Sequence, residues 1–102
     1  MEFEIQALFD PVERYVGPLI DSNTMSSLSK QENKVLALQN INRLNIRLGK
    51  MARSAKDESG NLRILQTYVN NLTVAIKYDN VPLIKSSLTS TRSIIKEIEK
   101  IR

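Results

Sequence analysis

Apolar side chains recur along this chain every three or four positions, in four separate runs. In the first, Ile5, Leu8 or Phe9, Val12, Val16 and Leu19 share one helical face. Pro11 falls inside that run, lacks a backbone N–H and disfavours helical geometry at Asp10. Two readings follow: a short helix near 2–9 and a second near 11–21 started by Asp10 as N-cap, or one helix kinked near Pro11. The polar stretch "DSNTMSSLS", residues 21–29, reads as a loop. It ends at Ser29-Lys30-Gln31-Glu32, a capping-box pattern that predicts the start of a long helix. The stripe of that helix reads Val35, Leu38, Ile41, Leu44, Leu48, Met51 and Ala55.

"KDESGN", residues 56–61, predicts a second break, with Gly60 free to take positive φ. Leu62, Leu65, Val69, Leu72 and Ile76 then form the narrow seam of a third helix. Ile84, Leu88, Thr91, Ile95 and Ile98 form the stripe of a fourth, with Ile94 and Ile101 beside it. Thr91 lies within that stripe, so its methyl faces the core and its hydroxyl bonds a backbone carbonyl. Between these two helices stands "DNVP", in which Asp79 or Asn80 can cap a helix start and Pro82 suits a first helical turn. A connection this short forces the two helices antiparallel. The pattern therefore predicts an all-α protein: one antiparallel bundle of four main helices, the first broken or kinked near Pro11, with no strand.

Composition narrows the reading. A chain of 102 residues corresponds to a single domain, 1–102. The hydrophobic fraction of 41% is that of a globular chain. With aromatics at 5% and no Trp, Leu, Ile and Val must supply the core. Cys and His are both absent, so disulfides, thiolate or imidazole metal sites and Ser-His or Cys-His catalysis are excluded. No apolar run is long enough for a membrane span, and the acidic start "MEFE" is unlike a signal peptide. The expected setting is intracellular, cytoplasmic or nuclear.

The net charge of +4 is unevenly spread. Residues 1–29 hold five acidic and one basic side chain, whereas 30–56 hold seven basic and one acidic. The acidic first quarter can lie against the basic second one. The sharpest charged feature is "NRLNIRLGKMARSAK", residues 42–56. Arg43, Arg47 and Lys50, spaced i, i+4 and i+7, share a helix face, and Arg53 and Lys56 extend it. Such a stripe suits an acidic partner protein, or the phosphates of RNA in the alternative reading. The aromatic interleaving used to stack single-stranded bases is missing.

Enzymatic signals are lacking. Glu2/Glu4, Asp57/Glu58 and Glu97/Glu99 are adjacent or two apart, so on helices they do not converge. The three glycines form no phosphate-binding loop, and no cofactor or metal is expected. Tyr68 and Tyr78, with Ile64 and Ala75, lie off the seam of the third helix as a second, weaker apolar strip. Leu36 and Ile46 lie off the seam of the second, and exposed together they mark an interaction site. Ser86, Ser87, Thr89, Ser90, Thr91 and Ser93 crowd the last helix, either as a solvated face or to let two helices approach closely.

"NRLNIRLGKM", residues 42–51, a break, and "LQTYVNNLTVAIKYDNVPLIKSSL", residues 65–88, resemble the C-terminal helical domain shared by the steroid receptor RNA activator protein and the outer scaffold protein of COPII coats. The matching positions are Arg43, Leu44, Asn45, Ile46, Leu72, Ala75 and Asp79. Where that family carries a tryptophan in its last helix, this chain reads "TRSIIKEIEKIR". The resemblance implies a helical bundle serving as an interaction or scaffold module. The residues lead to a related expectation: a non-enzymatic adaptor that binds a protein through Arg43, Arg47, Lys50, Arg53, Tyr68 and Tyr78. Nucleic-acid binding is the alternative, and self-association into a homo-oligomer the third reading.

Overall fold

The computed structural model describes residues 4–21, 26–54 and 60–101. Four helices account for nearly all of them: α1 (Glu4–Ile20), α2 (Ser27–Ser54), α3 (Asn61–Lys77) and α4 (Val81–Ile101). Residues 22–25 of the first predicted break, Ala55 and residues 56–59 of the second lie outside the described residues, as does the side chain of Ile101.

Helix α1 runs as one helix with Pro11 and Pro18 inside it, so of the two readings of the Pro11 region the single helix is the one adopted. Asp10 is accordingly a mid-helix residue, and its carboxylate accepts a hydrogen bond from Gln6 Nε2 at 2.7 Å. Burial explains the outcome. Ile5, Phe9, Val12, Val16 and Leu19 are all buried, and they stay on one face only if the helical phase continues through Pro11. That shared burial outweighs the backbone bond that Pro11 cannot donate to the Ala7 carbonyl.

Helix α2 starts earlier than the capping box predicts. Ser26, not Ser29, is the N-cap: its Oγ accepts the Ser29 N–H at 3.1 Å, and its carbonyl takes the Lys30 N–H at 3.0 Å. Ser26 offers the same short hydroxyl as Ser29, and using it adds most of a turn of backbone hydrogen bonds. The buried stripe of α2 is Ala37, Ile41, Leu44, Leu48 and Met51, with Leu38 half-buried. Val35, read as core, is 44% exposed. Each three-residue step rotates about 60° short of a full turn, so three successive steps carry Val35 to the side opposite Leu44. Ala37, seven before Leu44, holds the phase instead.

The seams read for α3 and α4 are buried residue for residue. Gly60 precedes α3 with φ 73°, the left-handed conformation its lack of a β-carbon permits. The turn between α3 and α4 is a Schellman closure. The Asn80 N–H donates to the Ala75 carbonyl at 2.9 Å and the Asp79 N–H to that of Ile76 at 3.2 Å. Asp79 occupies the left-handed position, φ 54°, where glycine is usual. Asn80 then caps α4, its Oδ1 accepting the Leu83 N–H at 3.2 Å, with Pro82 in the first turn.

Packing is most extensive within the pairs α1/α2 and α3/α4, less so between α2 and α3, and thinnest between α4 and α1. The helices thus stand in a square in chain order, with α1 diagonal to α3 and α2 to α4. Polar contacts along the seams report direction. Gln6 meets Glu99 and Glu13 meets Arg92, so α1 ascends as α4 descends. Lys34 meets Asp79 and Asn45 meets Asn70, the same relation for α2 and α3. The long dimension of 44 Å matches the length of α2, about 1.5 Å for each of its 28 residues. Ser87 and Thr91 are buried at the core, and Thr91 Oγ1 donates to the Ser87 carbonyl at 2.7 Å. Among the described residues no buried side-chain polar atom lacks a hydrogen bond, and no helix is long and apolar enough to cross a membrane.

Candidate functional site

With the four seams committed to the core, the remaining large apolar side chains stand out by position. On α3 and at its C-cap, Ile64, Val74 and Tyr78 are exposed; on α2, Leu28 is 71% exposed, Ile46 55% and Val35 44%, with Leu36 also exposed. Their spacing of seven and then eleven residues keeps Leu28, Val35 and Ile46 within about 20° of one line along α2, and Arg53, seven further, falls on it too. Leu28, Gln31, Glu32, Val35 and Leu36 together line a shallow depression on the N-terminal half of this outward face.

The cations read from the sequence lie on the C-terminal half. Arg43, Lys50 and Arg53 are exposed, and Arg47 is half-buried at the border with the core stripe. The Arg53 guanidinium folds back along the helix, its Nη1 3.5 Å from where a β-carbon on Gly49 would stand. The outward face of α2 is therefore divided: an apolar half carrying Glu32, then a basic half in which Ile46 is the apolar residue.

The tyrosines lie elsewhere. Tyr68 is half-buried and shares an α3/α4 groove with Thr89, Ser90, Ser93, Ile94 and Glu97. That groove borders the helix diagonal to α2. Tyr78 is the C-cap residue of α3 and 78% exposed. The strip read along α3 divides as well, since Ala75 is fully buried and Ile64 exposed. The six candidate residues are thus not brought together: the cations lie on α2, Tyr68 in the α3/α4 groove and Tyr78 at the C-terminal end of α3.

Helix α1, from the acidic first quarter, packs along α2, from the basic second one, and two of the charges on these helices reach other elements. Glu13 reaches Arg92 of α4, Nε to Oε1 2.6 Å, and Lys34 of α2 reaches Asp79 at 3.3 Å. The Ser/Thr cluster of α4 divides too: Ser87 and Thr91 face the core, whereas Ser86, Thr89 and Ser93 face solvent. Among the described residues no three carboxylates gather into a cation site.

Leu28 and Val35 are the members of the outward face that sequence reasoning missed, Leu28 by assignment to a loop and Val35 by assignment to the core. Their signal was the repeat 28–35–46, running alongside the core stripe and making α2 the least amphipathic of the four helices. No protein-family model matches the chain, and neither a curated protein nor a solved structure matches it.

Proposed function

We propose that this bundle is a non-enzymatic interaction module, an adaptor or scaffold piece, that binds a partner protein along the outward face of α2. One observation carries the reading: Leu28, Val35 and Ile46 stay exposed in one line along the longest helix, on a face that also bears Arg43, Lys50 and Arg53. The core is complete without them. Scattered apolar residues are ordinary on a surface, but a line of them bordered by charge suits a docking strip. Burying the strip supplies the affinity, and the cations set orientation and encounter rate. The resemblance to a scaffold-type helical domain carries the same implication. Tyr68 and Tyr78 lie outside this strip and are given no part in it.

The test is affinity capture from lysate with the parent chain and with Val35→Glu/Ile46→Glu, each followed by mass spectrometry and circular dichroism. A protein held by the parent and lost from an equally helical variant supports the reading. Retention of every captured protein by the variant overturns it. A mobility shift of RNA at low salt that Arg43→Glu/Arg53→Glu removes would assign the cations to nucleic acid instead.

A further inference from the structure

The outward line of α2 is complementary to itself when the helix is reversed. From Leu28 to Arg53 it advances in alternating steps of four and three, through positions 32, 35, 39, 42, 46 and 49, the spacing of a coiled-coil seam. Every residue on it except the half-buried Gly49 is exposed. A second α2, turned end for end about a twofold axis at the level of Asn40 and Ile41, brings matching chemistry to each step. Val35 faces the copy's Ile46, apolar on apolar. Gln39 faces the copy's Asn42, amide on amide beside the axis. Glu32 faces the copy's Gly49, and over that glycine the Arg53 guanidinium lies, its Nη1 3.5 Å from where a β-carbon would stand. A carboxylate thus meets a guanidinium across the seam, while the aliphatic stem of Arg53 covers the copy's Leu28. The symmetry makes every contact twice.

Other arrangements lose these matches. A parallel copy sets Glu32 on Glu32 and Arg53 on Arg53. Sliding the antiparallel copy one heptad pairs Leu28 with Ile46, but it sets Glu32 against Asn42 and carries Arg53 past Ser27, the start of the copy's α2. Sliding it the other way sets Val35 against Arg53 and carries Glu32 past Ser54, the end of the copy's α2. An interface between two copies about a twofold must be self-complementary, whereas a site for a different protein need not be. Resting on the reading of α2 as a docking strip, we infer that its occupant is a second copy of this chain, antiparallel about that axis, held by Val35 on Ile46 and by Glu32 paired with Arg53 across the seam. The central amides fix its register more than its strength. The seam is about 39 Å long and about 10 Å, one helix width, across. That is small beside the roughly 1,200–2,000 Å² that stable interfaces bury, so the dimer forms reversibly.

Sedimentation equilibrium of the full chain at up to about 1 mM should therefore show a dimer whose population rises with concentration. Glu32→Arg and Arg53→Glu, each checked for helicity, should each weaken it at least tenfold. The swap Glu32→Arg/Arg53→Glu should restore it to within threefold of the parent. The two positions are about 31 Å apart along one helix, so the rescue can only act between copies. The chain has no cysteine, which permits a test of register. Val35→Cys and Ile46→Cys are oxidised mildly, alone and mixed. The mixed disulfide should exceed either self-disulfide at least fivefold, because position 35 faces 46 and lies about 16 Å along the axis from its own copy. A dimer that the swap does not rescue, or self-disulfides equal to the mixed one, overturns the assigned register. A parent that stays monomeric, or a dimer that Val35→Glu/Ile46→Glu leaves intact, overturns the second copy as occupant. With a monomeric parent, a lysate protein lost on Val35→Glu/Ile46→Glu would give the strip to a different partner, and retention of every captured protein would overturn the strip as well.

Discussion

Asp79 carries opposing demands at a single position. Its backbone holds the left-handed conformation that closes α3, at a cost of about 1 kcal/mol for a residue with a β-carbon. Its carboxylate meets Lys34 of α2 across a partly exposed pair, worth about 0.2–1 kcal/mol after screening. Relief of the backbone should therefore outweigh loss of the pair. Asp79→Gly is expected to be at least as stable as the parent, and Asp79→Ala about 1 kcal/mol less stable than Asp79→Gly, by urea denaturation. Thr91 is the other informative position. Its hydroxyl bonds a carbonyl of its own helix, which the backbone also supplies, so no group is orphaned when the hydroxyl goes. Thr91→Val should leave the unfolding midpoint nearly unchanged, whereas Leu44→Ala, which empties a fully buried site, should cost about 3 kcal/mol. The role of Thr91 was legible because a position in an apolar stripe dictates burial, and burial obliges a hydroxyl to find an acceptor. The left-handed turn at Asp79 was not, because local chain preference alone favours glycine there.

Each helix is delimited by a different device: a serine cap for α2, a left-handed glycine before α3, and the Schellman closure followed by Asn80 for α3 and α4. Helix α1 has help from outside. Glu99 of α4 accepts the Gln6 N–H at 3.3 Å, setting a carboxylate against donors of the first helical turn. Pro11 is the element-level flaw, retained because the α1 face is buried as a unit. Pro11→Ala should restore the bond to the Ala7 carbonyl and raise stability by about 1–3 kcal/mol, read as a higher thermal midpoint. Gly49→Ala should add about 0.5–1 kcal/mol to α2, since the added β-carbon meets Arg53 Nη1 at an ordinary 3.5 Å. The two seams read most accurately were those of α3 and α4, where alternating steps of three and four hold the helical phase. The α2 stripe failed at Val35 because equal steps of three do not, and because two apolar stripes on one helix look alike until a neighbour covers one.

Across the bundle, the α1/α4 seam is the thinnest and closes the square. Its Glu13–Arg92 pair is partly exposed, so a double-mutant cycle with alanine should give a coupling of only about 0.2–1 kcal/mol, vanishing in 1 M salt. A larger, salt-insensitive coupling would mean that polar contacts rather than burial hold this seam. The number of helices, their antiparallel hairpin at Asn80 and most of the core follow from spacing along the chain, because helical phase and capping are local properties carried by neighbouring residues. Which of two apolar stripes on α2 is core, whether Pro11 breaks or merely interrupts α1, and which carboxylate each cation meets were decided only when the helices packed. Those outcomes depend on shared burial between residues far apart in sequence, and no local pattern encodes which face a distant helix will cover.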